Sequence, residues 1–260
     1  MIVKKTPLFQ AGKVLSVEML NALTYELEKI NSQKYLGYAD GILRGFQIEV
    51  ADDYLIVNEG SYIYQGELLC IPQKVKVLYN KSDSLQILVL RTGDMEQTNN
   101  FRIREAEFKI IPKEDCIITD IEICRFYLQQ GAKLRNHYQN FRDMNTTFDT
   151  VCLCHSKWAA YGENSIAYPI LAMFRQEIMK REKPDIYDEL LLDAISNSSG
   201  ESIPQSTITR YLTNKLERKL EDPNPEDIFK GLVHSLEKGE GCAERRTTGN
   251  RPANNRIIIE

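Results

Sequence analysis

The sequence predicts an α+β protein with an N-terminal helix, an antiparallel strand-rich module and a small C-terminal helical module. Apolar residues near the N-terminus recur at helical spacing, apolar and polar residues alternate between residues 46 and 128, and helical spacing returns after residue 165. The predicted segments are an arm and helix at 1–34, a strand-rich module with a connector at 35–164, a helical module at 165–238 and an extended or disordered tail at 239–260.

Composition and charge limit the classes of function. The 260 residues are 42% hydrophobic and 27% charged, which is ordinary for a soluble globular protein. The 33 basic residues against 37 acidic residues leave no basic field over the whole chain that would attract nucleic acid. No apolar run reaches the roughly 20 residues that cross a bilayer, and residues 1–15 lack the apolar region of a signal peptide. We therefore expect cytoplasmic synthesis, no membrane contact and reduced cysteines.

The first helix is predicted from Ser16 to Ser32. Ser16 is a favourable N-cap, and an apolar face follows at spacings of three, four and three residues. The residues of this face are Leu20, Leu23, Leu27 and Ile30. Two interpretations are open: the helix lies on the neighbouring sheet, which is usual for a helix of only two heptads, or its apolar face is a self-association seam.

The segment from Gly41 to Pro72 is predicted as a compact antiparallel unit of three strands. Residues 46–50 alternate between apolar and polar, and residues 54–57 and 62–69 follow as apolar runs. Turn residues separate these runs, and Gln65-Gly66 permits a tight bend near the end. Further strands are predicted at 74–79, 84–91, 101–111 and 120–128, and the last of them has Ile121, Ile123 and Phe126 as its inward residues. A polar loop is predicted at 92–100. A connector is predicted at 129–158, with a short strand around Thr150 to Cys154.

The helical module is predicted as four amphipathic helices. Pro169 can occupy the first turn of one helix, and Asp185 is the predicted N-cap of the second. Ser206 is the predicted N-cap of the third, and Pro223 and Pro225 mark the start of the fourth. The residues predicted to face the core are Ile170, Met173, Phe174, Ile178, Met179, Ile186, Leu190, Leu191, Ile195, Ile208, Tyr211, Leu212, Leu216, Leu220, Ile228, Phe229, Leu232, Val233 and Leu236.

The segment Cys152-Leu153-Cys154-His155 is the main candidate for chemistry, because thiolate and imidazole groups bind zinc. In a strand, however, Cys152 and Cys154 point to one face and His155 points to the other. No second pair at zinc-ligand spacing completes the set, and no nucleophile-elbow motif is present. We therefore predict no catalytic, cofactor-binding or metal site, and the alternative is an enzyme or zinc-binding protein that uses this segment.

A nucleic-acid partner is the other alternative. Arg210, Lys215, Arg218 and Lys219 lie along the third predicted helix among acidic residues. This arrangement is typical of a solvated helix face with i,i+4 ion pairs. The sequence also lacks the phosphate-binding patterns GxGxxG and GxxxxGK[ST]. The sequence therefore predicts no nucleic-acid partner, with a DNA-binding regulator that uses the C-terminal helices left as an alternative.

Two stretches resemble known proteins. After the first helix, GYADGILRGFQIEV followed by NEGSYIYQGELL resembles the N-terminal attachment region of bacteriophage tail and baseplate proteins. The run from IEICRFYLQQGAKLRNHYQNFRDMNTTFDT to AYPILAMFRQEI is similar to the central portion of tail-associated proteins of phages and of phage-like contractile particles of Gram-positive bacteria. Together the two stretches and the helix before them span residues 14–182.

The resemblance implies a non-enzymatic structural protein, assembled into a phage or phage-like particle, that joins baseplate, tail or fibre proteins. It also favours a homo-oligomer of three chains, and it implies no cofactor. Apolar anchors stabilise such interfaces. The expected contact residues are Leu20, Leu23, Leu27, Ile30, Phe46, Tyr54, Tyr62, Tyr64, Ile257, Ile258 and Ile259. For the last three, a frayed terminus and an arm that adds as a strand to a neighbour's sheet both remain open.

Overall fold

The structure is a computed structural model that describes residue 7, residue 9, residues 11–80 and residues 83–247. Within these ranges, side chains are described everywhere except at residues 26–28 and 239–247. Five helices and eleven strands, nearly all of them paired antiparallel, make up the described fold. The predicted α+β class is therefore confirmed. Among the described helices, none combines the length and the apolar content that crossing a bilayer requires.

The elements follow one another in this order. The helices are α1 (Val17–Lys34), α2 (Tyr168–Met179), α3 (Ile186–Asn197), α4 (Gln205–Leu216) and α5 (Pro225–Thr247). The strands are β1 (Gly41–Gly45), β2 (Ile48–Val50), β3 (Tyr54–Val57), β4 (Gly60–Tyr64), β5 (Glu67–Ile71), β6 (Val75–Leu78), β7 (Leu85–Gln97), β8 (Arg102–Pro112), β9 (Ile121–Tyr127), β10 (Trp158–Ala159) and β11 (Asn164–Ser165). They form three sheets, with the strand orders β11-β10-β1-β4-β5, β2-β3-β6 and β8-β7-β9.

The predicted three-strand unit is divided between two sheets, which corrects the sequence prediction. β2 and β3 pair with each other and continue to β6, whereas β4 pairs with β5 and with β1, a strand that the sequence analysis missed. The chain changes sheet at Gly45 and Phe46, which have φ values of 79° and 54°. A Cβ on Gly45 would stand 2.6 Å from the Cα of Gly60, so this crossing requires glycine.

The central strand of the third sheet is longer than predicted. β7 continues to Gln97, and the chain turns between Thr98 and Phe101, whose backbone N–H···O bond is 2.8 Å long. The polar loop predicted at 92–100 is therefore wrong for most of its length. Its residues continue the ladder with β8 beyond the core, where both faces of the hairpin meet solvent and polar side chains are favoured. The predicted inward residues of β9 are buried, as expected: Ile121, Ile123 and Phe126.

The connector between β9 and β10 does not contain the short strand predicted around Thr150 to Cys154, and isolated bridges take its place. Residues near Thr150 and Cys152 form isolated bridges with Arg135 and Arg125, and a 3-10 turn covers Phe141–Asn145. This turn directs the Phe141 ring against Phe174 of α2, with 5.5 Å between the ring centroids. The connector is thus part of the core.

The helix predictions are largely confirmed. Ser16 and Asp185 cap α1 and α3 as predicted, and Pro169 lies in the first turn of α2. The predicted Ser206 cap is wrong, because α4 begins at Gln205 and the Ser206 N–H donates to the Glu163 carboxylate at 2.8 Å. The capping group thus comes from a distant segment. α5 continues through residues 239–247 of the predicted tail.

One hydrophobic core joins the sheets and the helices. Leu88 and Phe126 of the third sheet belong to the same buried cluster as Phe174 of α2 and Leu232 of α5. Full burial of each such side chain stabilises the fold by about 1.5–3 kcal/mol. The predicted boundary near residue 165 falls in β11, which pairs with β10. The division of the chain into four segments stays a prediction.

Candidate interaction surface

Helix α1 carries its apolar residues on an exposed face. Leu20, Leu23 and Ile30 keep 46%, 42% and 59% of their surface accessible to solvent. The side chain of Leu27, the fourth residue of this predicted face, lies outside the described residues. The α1 face, defined as Leu20, Leu23, Leu27 and Ile30, therefore does not use the neighbouring sheet to bury its described side chains. Of the two interpretations drawn from the sequence, this exposure favours the self-association seam, and the contact of α1 with β5 keeps the helix next to the sheet.

The loop after α1 fixes the helix to the body of the protein. Tyr35 is buried, and its hydroxyl donates to Glu201 Oε1 at 3.4 Å. The Tyr38 hydroxyl donates to Glu201 Oε2 at 3.3 Å, and Arg44 Nη2 donates to Oε1 at 2.7 Å. Burial raises the pKa of Tyr38, with the Glu201 carboxylate adding to the effect. This Glu201 cluster (Tyr35, Tyr38, Arg44 and Glu201) joins the base of α1 to β1 and to the segment between α3 and α4.

Three expected contact residues lie in the chain's own core. Phe46, Tyr62 and Tyr64 are buried, and the Tyr62 and Tyr64 hydroxyls bond to Thr92 Oγ1 at 3.1 Å and Thr92 O at 3.4 Å. Phe46 packs edge-on against Phe108 with ring centroids 5.5 Å apart. We therefore correct the expectation that these three side chains are surface anchors. Their size suits a core position between sheets as well as an interface, and the sequence alone does not separate the two.

The remaining expected contact residues are Tyr54 and the three isoleucines near residue 258. Tyr54 is half-buried on β3, with the Lys76 ammonium 4.9 Å from its ring centroid. Ile257, Ile258 and Ile259 lie outside the described residues. Their contact role stays a prediction.

Three further groups of apolar side chains are exposed, and the sequence analysis did not propose any of them as contact residues. They are the tip of the β7–β8 hairpin, the loop before β9, and the outer side of α2 and α3. The residues are Met95, Phe101 and Ile103 at the tip, Ile117 and Ile118 in the loop, and Met179, Ile186, Tyr187 and Leu190 on the helices. Isolated apolar residues in otherwise polar stretches were the available signal for the first two groups.

A buried charge cluster decides which face of α3 is exposed. Asp188 is only 1% exposed, and it accepts hydrogen bonds from Arg181 Nη1, Lys215 Nζ and the Tyr211 hydroxyl, each at 2.8 Å. Burial raises the pKa of Tyr211, and contact with the Asp188 carboxylate adds to the effect. These bonds hold a carboxylate on the inward face of α3, a position that periodicity assigns to an apolar residue.

The position of Asp188 corrects part of the predicted core. Leu191 and Ile195, one and two turns further along α3, share its inward face and are buried as predicted. Ile186 and Leu190 lie on the opposite side of the helix and are exposed, as is Met179 at the end of α2. The predicted inward orientation of these three residues is therefore wrong.

The same cluster engages part of the basic face considered for DNA. Lys215 bonds to Asp185 Oδ2 at 2.6 Å as well as to Asp188, and Lys219 pairs with Glu221 at 3.2 Å. Because the Lys215 side chain is turned inward and paired, it is not available to phosphate. The structure therefore does not favour the DNA-binding alternative.

The Cys152–His155 segment is placed in the interior. Cys152 and Cys154 are fully buried, and the Cys154 thiol donates to Met144 O at 3.6 Å. Interaction between the two thiols raises the pKa of Cys154 and lowers that of Cys152. Burial, assisted by the charge of Arg125, lowers the pKa of His155. Within the described ranges, no three His, Cys, Asp or Glu side chains come together as metal ligands. A thiol without solvent contact cannot meet a substrate, so the geometry does not favour the enzyme or zinc alternative.

Two cavities open on the surface of the described chain. One, of about 300 Å³, is lined mainly by apolar and aromatic side chains that include Phe46, Tyr138 and Trp158. The other, of about 290 Å³, is lined by both polar and apolar groups that include His155 and Lys157. We call the second one the His155 cavity.

Comparison with protein-family models and with curated protein sequences finds no match. Among solved structures, a crystal structure of TssK shares 11% identity at a TM-score of 0.40, over 91% of this chain and 69% of that one. A cryo-electron microscopy structure of the TssK-TssF-TssG baseplate subcomplex of the type VI secretion system shares 13% identity at 0.34, over 93% of this chain and 100% of that one. The baseplate complex from the type VI secretion system shares 13% identity at a TM-score of 0.36, and the match covers 92% of this chain and 99% of that one.

Proposed function

We propose that this chain is a non-enzymatic structural subunit of the baseplate of a phage-type tail or contractile particle, where it holds neighbouring subunits together. The observation that carries the proposal is the exposed α1 face on a helix whose base is fixed by the Glu201 cluster. An exposed apolar face on a helix anchored at its base is suited to a protein partner. The resemblance of residues 14–182 to tail and baseplate proteins supplies the type of particle.

The resemblance to tail proteins favours three copies of the chain. Complete burial of a large apolar side chain contributes about 1.5–3 kcal/mol, and the described residues of the α1 face are only about half exposed, so each gains about half of this. The six described side chains of one pair of helices therefore gain about 4–9 kcal/mol, which lies within the range of about 4–15 kcal/mol that association costs. Three helices around a common axis bury each α1 face against two neighbours, which fits the a and d spacing of the face.

The other exposed groups are assigned to different partners. The hairpin tip at Met95, Phe101 and Ile103 and the helical patch at Met179, Ile186 and Leu190 lie on separate elements from α1. A subunit with several apolar surfaces can bind copies of itself through one and baseplate, tail or fibre proteins through the others. The type VI secretion baseplates named for two of the solved structures are assemblies of the same kind.

The decisive test of self-association is the mass of the purified chain. Leu20→Ser with Leu23→Ser removes apolar groups from the α1 face. The matched control, Asn21→Ser with Tyr25→Ser, changes exposed residues on the opposite side of the same helix. We expect mass photometry to show trimers for the wild type and the control and monomers for the face variant. A monomeric wild type, or a face variant that remains trimeric, would contradict the proposed seam.

The particle itself is tested in the cells that make the protein. The tagged chain is purified gently with its partners and imaged by negative-stain electron microscopy. We expect tails or baseplate-like discs in the eluate. A small species with no tail or baseplate proteins attached would refute the baseplate assignment.

A further inference from the structure

The His155 cavity lies where several parts of the chain meet. Its walls come from β7, β9 and the loop before it, from residues 155–157, from β11, and from the first residues of α4 and α5, Gln205 and Pro225. Lys157 is held by backbone bonds on both sides, from its N–H to Glu122 O at 2.9 Å and from the Ile42 N–H to its carbonyl at 2.8 Å. The cavity is therefore built on fixed elements.

The free charge in this cavity is positive. The Asp120 carboxylate is held by Arg91 through bonds of 2.8 and 2.7 Å, and the Glu122 carboxylate by Arg125 through bonds of 2.7 and 2.8 Å. Each lining carboxylate is thus neutralised by its own guanidinium group. Lys157, which also lines the cavity, forms no ion pair with any residue in the described ranges. An anionic group would complement this ammonium.

A second observation points to a ligand in the same place. Ser165 lines the cavity and is only 4% exposed, and its hydroxyl has no hydrogen-bond partner among the described residues. A buried polar group without a partner costs about 1–3 kcal/mol, so such groups in folded proteins call for a ligand or water. The Ser165 hydroxyl and the Lys157 ammonium together offer donors to a carboxylate.

The rim of the cavity is apolar. Ile117 and Ile118 both line it, and Ile118 is 94% exposed. A ligand that matches the whole site therefore combines aliphatic side chains with a carboxylate. The chain contains such a segment in Ile257-Ile258-Ile259-Glu260, which lies outside the described residues.

We propose that the His155 cavity binds residues Ile257–Glu260 of a neighbouring copy, an inference that rests on the proposed function in that it requires copies to assemble. The Glu260 carboxylate accepts hydrogen bonds from Lys157 and Ser165, and the isoleucines pack on Ile117 and Ile118. This binding links each copy to the next through a second contact, independent of the α1 face.

Reach favours a neighbour over the same copy. Pro225, at the start of α5, lines the cavity, so Thr247 at the other end lies about 33 Å away at 1.5 Å per residue. The chain from residue 247 to residue 260 spans at most about 47 Å. Binding of Glu260 in its own cavity would require this stretch to run back along α5 at about seven-tenths of its full extension. A neighbouring copy has no such constraint.

The test uses the full chain and a peptide of residues 254–260, amidated so that Glu260 supplies its only carboxylate. The protein carries Ile258→Asp, so that its own segment does not compete. We expect saturable binding by fluorescence polarisation and a loss of about tenfold or more in affinity when Lys157→Gln is added, because a charge-assisted bond is removed. Lys133→Gln, at an exposed connector position, is the matched control. No saturable binding, or equal affinity in the two lysine variants, would overturn the proposal.

The same assay separates this proposal from the proposed function. The peptide binds a single copy, so the Leu20→Ser, Leu23→Ser variant should bind it as tightly as its parent. If the wild type is monomeric and the peptide binds, the cavity proposal stands and the proposed α1 seam is refuted. If the wild type is trimeric and the peptide does not bind, the α1 seam stands and the cavity proposal is refuted.

Discussion

Helices α1 and α2 have the same kind of amphipathic pattern and opposite surroundings. In α2, Ile170, Phe174 and Ile178 are 0% exposed, whereas Leu20 and Leu23 of α1 are 46% and 42% exposed. The side chains that cover α2 belong to the same chain, and this chain leaves Leu20 and Leu23 of α1 partly exposed. Periodicity thus predicts that a helix has an apolar face, and it does not predict whether the chain itself covers that face.

Truncating a side chain on the buried face of α2 should cause the largest loss of unfolding free energy. The Phe174 ring contacts the rings of Phe141 and Tyr211 at centroid distances of 5.5 and 5.9 Å. Phe174→Ala is expected to lower the free energy of unfolding by about 3–5 kcal/mol, because it leaves a cavity in the core. Leu23→Ala in monomeric protein is expected to change it by less than about 0.5 kcal/mol. Urea unfolding measures both, and equal losses would remove the distinction between the helices.

Removing a buried charge from the helical module should give the second-largest loss of unfolding free energy. Asp188→Ala leaves Arg181 and Lys215, whose side chains are 14% and 9% exposed, without their shared carboxylate. We expect a loss of about 3 kcal/mol in urea unfolding, since breaking a buried ion pair strands a charge. Asp193→Ala, at an exposed position of the same helix, is the control and should be nearly neutral. A neutral Asp188→Ala would mean that the cluster does not hold α3.

Acid should loosen the surroundings of α2 more than those of α1. Asp143 lies in the turn that carries Phe141, and hydrogen bonds from Arg135 lower its pKa to about 2. A carboxyl with a depressed pKa contributes stability above its ordinary pKa of 3.8, and this is lost as the pH falls towards 2. The contribution is at most about 2 kcal/mol.

The difference in unfolding free energy between wild type and Asp143→Asn measures this contribution. The difference should be full near about pH 5 and shrink towards about pH 2, because protonation removes the same charge as the substitution. A difference that stays constant over this range would show that the Asp143 charge does not stabilise the turn.

The smallest effect is expected at the base of α1. Glu201→Gln weakens charged hydrogen bonds to Tyr38 and Arg44. We expect amide hydrogen exchange in residues 35–44 to accelerate by about 5- to 30-fold, which corresponds to about 1–2 kcal/mol of local stability. The exposed Glu189→Gln is the control and should leave that exchange unchanged. Unchanged exchange in Glu201→Gln would mean that α1 is held by apolar contacts alone.

Local signals in the sequence account for the parts of the fold that were predicted. The caps at Ser16 and Asp185, the proline at residue 169 and the inward residues of β9 all depend on neighbours within a few positions. Capping and periodicity act over one or two turns or a few strand residues, so a short window contains the information.

The errors arose where a distant residue decides the local structure. Glu163 caps α4 from another segment, and Lys215 on α4 helps to hold Asp188 inward on α3. The kink at Gly45 and Phe46 sends adjacent strands into different sheets because Gly60 approaches closely. The exposure of Leu20, Leu23 and Ile30 is the extreme case, since these side chains keep 42–59% of their surface accessible to solvent. Contacts between distant residues are not encoded in local spacing, so the interaction surface was predicted less well than the secondary structure.

The order of synthesis has a consequence for the five-stranded sheet. Ile42 of β1 pairs in parallel with Trp158 of β10. At about 5–20 residues per second, the ribosome takes about 6–23 s to add the chain between these partners. β4 can cover one edge of β1 early, but the other edge keeps its backbone groups unpaired throughout that interval. The nascent chain therefore passes through a window in which an open strand edge can pair with another nascent chain, and chaperones that act during translation have most to protect at that stage.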